Sequence, residues 1–301
     1  MIPPIIQNLI DDTRVARDAL NSDFVPLVAG DTNGNYQVSY LIKRLDNIKV
    51  LIERLGAQDV RSISLAARER ALTPVIRPPH KFSKRLQAVM EERTEIAGGM
   101  QLDLESLYIY GNLALDHWAR IVGHICNTPS LYSDGYPFAK LYQMICQALP
   151  PTELSVVIAN HRQDIIWLYY NLRIYRNGFI EHLDKPMQRG STSYNNRIGF
   201  SFFSPAAVGS VSATQEQGLH NTISHIAPQF TATLRPGHWQ RRPRGSLQLM
   251  FQNIDQIQSY DDRERISRVW KQLGGETVSY EVLARRLINL LMSPPDTLRT
   301  P

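Results

Sequence analysis

The stretch LDLESLYIYGNLALDHWARIVGHI, residues 102–125, decides the fold class. Apolar residues fall at nearly every turn of a 3.6-residue helix, which predicts one long helix at the centre of a bundle. Its polar residues are not scattered. Glu105, Asn112 and Asp116 stand seven and four positions apart, so all three share one face. Such a stripe either faces solvent or accepts hydrogen bonds from cationic side chains across the bundle, and the sequence leaves both readings open.

Outward from this helix the pattern stays helical. On the N-terminal side the spacing predicts helices over Ile5–Leu20, Tyr36–Leu55, Ser62–Leu72 and Phe82–Ile96. Gly30 to Asn35 reads as a loop, Gly56 as a helix stop, Pro74 as a second stop, and Gly98-Gly99 as a break. On the C-terminal side Phe138–Leu149 is amphipathic and Pro150-Pro151 closes it. Thr152 caps a long helix with Val157, Ile158, Ile165, Leu168, Leu172 and Tyr175 at helical spacing up to Gly178. Ser191 to Ser204 alternates roughly, through Ile198, Phe200 and Phe202, which predicts a short hairpin. Helices over Leu247–Tyr260, Asp262–Leu273 and Ser279–Met292 complete the chain, with Gly274-Gly275 between the last two. The expected fold is an all-α multi-helix bundle with a small irregular or hairpin insertion near 191–204. Three regions follow: an N-terminal helical region over 1–97, a helical core over 98–185, and a C-terminal helical region over 186–301.

Composition narrows the function. With 301 residues, 43% hydrophobic and 20% charged, the chain has ample material for a core and no mark of disorder. Its longest unbroken apolar run is Ile165 to Tyr170, far short of a membrane span of ~20 residues. Met1 to Ile10 lacks the basic start and apolar stretch of a signal peptide, so a cytoplasmic protein is expected. Cys126 and Cys146 sit in apolar helical patterns and are expected as buried free thiols. The histidine pairs His117/His124 and His220/His225 lack a third ligand at a recognisable spacing, so neither a metal nor a cofactor is expected. No Ser/His/Asp or Cys/His motif stands out, and Gly30 to Asn35 lacks the Lys-Ser/Thr of a phosphate-binding loop.

The net charge of +5 permits a nucleic-acid partner without demanding one. Part of the excess is local: His238-Trp239-Gln240-Arg241-Arg242-Pro243-Arg244-Gly245 reads as a Pro- and Gly-broken loop. Its three arginines, Arg241, Arg242 and Arg244, stand beside an indole and suit phosphate and base contacts. The alternative is a solvated surface loop.

The chemically pointed feature lies at the end of the long helix, where Arg176-Asn177 is followed after four residues by His182. On an unbroken helix Arg176 and His182 would sit about 120° apart, so they converge only through arginine's reach or a local bend. Gly178 removes a side chain beside the imidazole. Arg176 could instead pair with Asp116 or Glu105, and His182 could serve the helix C-terminus.

This Arg-Asn-x4-His pattern, late in a long helix and preceded by the central helix with Glu105 and Asp116, resembles the HEPN superfamily (higher eukaryotes and prokaryotes nucleotide-binding domains). The resemblance covers about residues 101–184. It implies a helical bundle that often pairs as a homodimer, joining two copies of the motif in one cleft. Many such domains are metal-independent endoribonucleases of toxin, defence or RNA-processing systems, so RNA, a second copy and a cognate antitoxin become the expected partners. By the same resemblance His182 would act in acid–base catalysis, Arg176 would stabilise charge on the phosphate, and Asn177 would orient phosphate or imidazole. Other members are non-catalytic and bind a nucleotide, RNA or a partner protein.

Overall fold

A computed structural model describes residues 3–72, 83–133, 135–147, 153–173, 188–194, 197–203, 212–231, 234–235, 237–273 and 278–293. The architecture is the expected all-α multi-helix bundle. Helix α1 spans Pro4–Ala19 and runs on through a π-helical turn at Leu20–Phe24. Two long helices follow: α2, Thr32–Leu72, of 41 residues, and α3, Lys84–Ile125, of 42 residues. Next come α4, Pro137–Cys146, and α5, Glu153–Leu168, which passes into a second π-helical turn at Tyr169–Arg173.

The hairpin expected near 191–204 consists of β1, Gln188–Tyr194, and β2, Arg197–Phe203. The strands pair antiparallel, from Gln188 opposite Phe203 to Tyr194 opposite Arg197. The chain then forms α6, Ala213–Ile226, α7, Pro243–Gln252, α8, Tyr260–Gln272, and α9, Tyr280–Met292.

The organising unit is the α2–α3 pair. Asp31 meets His124, Gln37 meets His117, Arg54 meets Asp103 and Arg61 meets Glu92. These pairings descend α3 as they climb α2, so the two helices are antiparallel. Both helices carry a run of buried apolar residues, among them Leu41, Leu45, Ile48, Ile52 and Leu55 of α2 and Leu104, Leu107, Leu115 and Trp118 of α3. The central position read for 102–125 is confirmed, because α3 also packs against α4, the turn at Tyr169–Arg173 and α9. Helix α9 in turn packs on α1 and α5, which brings the two ends of the described chain together. One hydrophobic cluster runs from Ile6 to Leu291 and crosses the boundaries drawn at 97/98 and 185/186.

Several local signals read differently in three dimensions. Gly98-Gly99 does not break the chain; α3 passes straight through it. Ile96, Met100 and Leu104 are buried on its inner side. Packing of that side against α2 outweighs a glycine penalty of ~1 kcal/mol per residue. Gly56 is not a stop either. It lies inside α2, where a Cβ would come 2.7 Å from Cγ2 of Ile6, so the missing side chain lets α1 approach closely. The loop read at Gly30 to Asn35 is shorter, because the Asp31 carboxylate accepts from the backbone N–H of Asn33 (2.9 Å) and Gly34 (3.0 Å) and starts α2 there.

Helix α6 was not read from the sequence. Its signal was present as a capping box, in which Ser212 and Gln215 bond each other's backbone N–H. Leu247–Tyr260 is not one helix: α7 ends at Gln252, and Ser259 caps α8 by accepting from Asp262 N–H. The cysteines are free as expected but not buried, since Cys126 is half-exposed at the end of α3 and Cys146 is exposed at the end of α4.

This packing makes two stability predictions of opposite sign. Gly56→Ala should destabilise the protein by about 1–3 kcal/mol, because overpacking against the β-branched Ile6 exceeds the helix gain. Gly98→Ala, in an exposed position with nothing within 4 Å, should instead stabilise it by about 0.5–1 kcal/mol. Urea unfolding of both variants beside wild type tests the contrast.

His117 supplies a pH prediction. Burial, with help from Arg120 and Arg44, lowers its pKa to about 4. Unfolded chain takes up a proton below pH ~6.5 while the folded imidazole resists it. The contribution is therefore fully present above that pH and is lost as pH falls towards 4. Thermal melts from pH 7 to 4.5 should show a shallower decline for His117→Gln than for wild type.

Candidate functional site

The polar stripe on α3 is divided among three environments. Glu105 is half-buried and accepts from Gln101 Nε2 at 3.0 Å. Asn112 is fully buried, and neither its Oδ1 nor its Nδ2 has a hydrogen-bond partner among the described residues. Asp116, 9% exposed, accepts from the backbone N–H of Phe138 at 3.1 Å and from Arg173 Nη1 at 3.4 Å. A stripe facing solvent along its length is thereby excluded, and the cation opposite Asp116 among the described residues is Arg173. Arg173 is 5% exposed, and its guanidinium carbon lies 5.2 Å from the centre of the Tyr136 ring. The sequence contained a signal for this arginine: it stands seven residues after Ile166 and three after Tyr170, on the face where both are buried.

Arg176, Asn177 and His182 lie outside the described residues. What is described is how the chain is held just before them. Gly111 of α3 allows Leu172 to approach; a Cβ there would meet Leu172 Cδ1 at 2.8 Å and Leu287 Cδ2 at 3.1 Å. The π-helical turn beside it is gripped by a tyrosine cluster that sequence reasoning missed. The rings of Tyr142 and Tyr169 stack 3.7 Å apart at 10°. Tyr142 and Tyr170 bring their hydroxyls within 2.6 Å, and Tyr170 donates to Glu264 Oε1, also at 2.6 Å. Since the carboxylate takes the Tyr170 proton, Tyr142 must donate to Tyr170. Burial raises the pKa of both phenols well above the ordinary value. They therefore remain protonated, and the chain of hydrogen bonds ties α4, the π-helical turn and α8 together. π-Helical turns recur at functional sites in proteins generally.

The basic segment is helical, not the loop expected at 238–245. His238–Arg241 forms one turn after Gly237, whose φ of 71° is left-handed, and Pro243 occupies the first turn of α7, where it needs no N–H partner. This folding splits the expected arginine trio. Arg241 and Arg242 are exposed and, with Arg235 and His238, line an open cavity of about 360 Å³. Arg244 is half-buried and is not among the described lining residues. Among the described residues no guanidinium stacks on the Trp239 indole. It packs on the core, 6.3 Å from the His220 ring. None of the three lining arginines has an ion-pair partner among the described residues, and no carboxylate is among the described lining. Such a concavity favours a phosphate or another oxyanion.

Among the described residues no group of three His, Cys, Asp or Glu is placed to hold a metal ion, and no helix is long and apolar enough to cross a membrane. His117 and His124 are engaged separately, with Gln37 and Asp31. No family model, curated protein or solved structure matches this chain.

The Asp116–Arg173 pair yields a stability contrast along one helix face. Asp116→Ala strands a buried guanidinium and should cost about 3–5 kcal/mol. Glu105→Ala removes one partly exposed hydrogen bond and should cost about 1 kcal/mol or less. Comparable losses for the two variants in chemical denaturation would contradict the structural role given to Arg173.

Proposed function

We propose that this protein binds RNA and cleaves it as a metal-independent endoribonuclease of toxin or defence type, using Arg176, Asn177 and His182. The observation that carries the RNA-binding half is the cavity lined by Arg235, His238, Arg241 and Arg242, whose arginines are unpaired among the described residues. Three guanidiniums without carboxylates form a ready counter-surface for a phosphate backbone. The cleavage half rests on the Arg-Asn-x4-His sequence and its resemblance to HEPN domains. The tightly held turn at Tyr169–Arg173, directly upstream of the motif, supports it.

In this proposal the ribose 2′-hydroxyl attacks the adjacent phosphorus and the 5′-oxygen leaves, so the product is a 2′,3′-cyclic phosphate. His182 moves protons between the attacking and leaving oxygens, a task suited to an imidazole. Arg176 stabilises the charge that builds on the phosphoryl oxygens, and Asn177 orients the phosphate or the imidazole. A homodimer would bring two copies of the motif into one cleft, and an antitoxin would be its natural partner. The second reading is a helical protein that binds RNA without cutting it, which the cavity by itself also supports.

The decisive comparison is between wild type and His182→Ala, each with labelled RNA in the presence of a metal chelator. Wild type should cleave, and the variant should lose activity by ~10²–10⁴-fold with an unchanged melting temperature. If wild type binds RNA but leaves it intact, the non-catalytic reading replaces the enzymatic one. Replacing Arg235, Arg241 and Arg242 together with Ala should weaken RNA binding and flatten its salt dependence, since each phosphate that an arginine neutralises releases about one counterion. An unchanged salt slope would remove the cavity from the interface.

A further inference from the structure

Arginine–carboxylate pairs between α2 and α3 lie along one part of the helix pair and, among the described residues, not along the other. Towards the 72/84 end four arginines meet a carboxylate of the facing helix: Arg54 with Asp103, Arg61 and Arg68 with Glu92, and Arg93 with Glu69. Towards the 32/125 end Arg44 of α2 and Arg120 of α3 are each half-buried and have no ion-pair partner among the described residues. Arg44 lies with its guanidinium carbon 5.7 Å from the centre of the Tyr110 ring. Arg120 stands one turn beyond His117. Both arginines act on His117, whose pKa their charges help to depress.

The same end exposes aromatic rings. Tyr36 and Tyr40 sit one turn apart on α2 and are 59% and 47% exposed. Tyr40 stacks on the His117 ring, with centroids 5.4 Å apart and planes at 18°. His117 is itself held by Gln37, whose Oε1 lies 2.8 Å from Nδ1. The phenol ring of Tyr40 is thus backed by an imidazole and still offers much of its surface to solvent. From Tyr36 through Tyr40 to Arg44 the helix advances about 12 Å. Two exposed rings with unpaired guanidiniums nearby suit a ligand that has both flat apolar faces and negative charges.

We infer that this end of the α2–α3 pair is a stacking platform for single-stranded nucleic acid, with bases on Tyr36 and Tyr40 and phosphates on Arg44 and Arg120. It rests on the RNA-binding reading and names the form of nucleic acid that the protein takes. A duplex presents phosphates but hides its base faces, so it can use the arginines and not the tyrosines. An acidic protein partner would likewise need the arginines and make less demand on an open ring face.

The test uses full-length protein and a fluorescein-labelled 2′-O-methyl oligouridine of about ten nucleotides, within the usual range of single-strand footprints. The methyl group blocks attack by the 2′-oxygen, so anisotropy reads binding without cleavage. A duplex of equal length serves as comparison. Tyr40→Ala should weaken single-strand binding by about 5- to 100-fold, the usual range for loss of one stacked base. Tyr40→Phe should bind like wild type, and duplex binding should be the same for all three proteins. Arg44→Gln with Arg120→Gln should lower the salt slope for the single strand by about 1–2. Thermal melts confirm that each variant is folded.

Full single-strand affinity in folded Tyr40→Ala overturns the platform while leaving the RNA-binding reading in place. Equal weakening towards single strand and duplex also overturns it, since stacking would then not be the contact. Sensitivity to the arginine substitutions alone assigns the surface to charge, as an acidic partner would use it, and overturns it too. Wild type that binds neither nucleic acid ends both readings together.

Discussion

Two helices of about forty residues cannot remain straight and isolated in water, because each presents a long apolar seam with nothing to cover it. Their mutual burial is the constraint on which the rest of the molecule depends. Leu41, Leu45, Ile48 and Ile52 of α2 are buried, and the polar pairs between α2 and α3 fix the register. A slip of one turn, about 5.4 Å, would separate Arg54 from Asp103 and His124 from Asp31 at once. At the His124 end a single carboxylate does two jobs: Asp31 caps α2 through one oxygen and meets His124 Nδ1, at 2.6 Å, through the other. The N–H of Gly34 is the main reason its pKa is lowered.

With that register set, the other side of α3 is committed to the chain that precedes the Arg-Asn-x4-His motif. Gly111 admits Leu172, and Asp116 meets Arg173. A buried carboxylate and a buried guanidinium are each costly to desolvate, and each is tolerable only because of the other. The pair therefore selects one placement of the π-helical turn more than it adds stability. The hydrogen-bonded phenols of Tyr142 and Tyr170 act in the same direction, since burial keeps them protonated and each proton has an acceptor. In the proposed function, such a fixed base would help to place Arg176 and His182 against one phosphate.

Several arginines that bridge elements are paired with carboxylates, as at Arg54, Arg61 and Arg93. Those at the cavity of Arg235, Arg241 and Arg242, and at Arg44 and Arg120, have no such partner among the described residues. The net charge of +5 does not by itself show where unpaired arginines lie. One group lines a concavity, and the other lies at the end of α2–α3 that exposes Tyr36 and Tyr40.

The amino-acid sequence by itself determined the helical class, the central place of residues 102–125, the hairpin near 191–204, and the free state of both cysteines. Each depends on periodicity or composition within a short window, where local physics is decisive. It also brought out Glu105, Asn112 and Asp116 as a single face, since residues seven and four apart share a side of any helix. Only the tertiary structure decided that Gly56 and Gly98-Gly99 lie inside helices, because the partner that stabilises them, α1 in one case and α2 in the other, is distant in sequence. Tertiary structure likewise gave Asp116 its Arg173, assembled the tyrosine cluster from α4, α8 and the π-helical turn, and joined Arg235 and His238 to Arg241 and Arg242. A local pattern states what a residue is able to do; which residue it meets depends on how elements far apart in the chain close around one core.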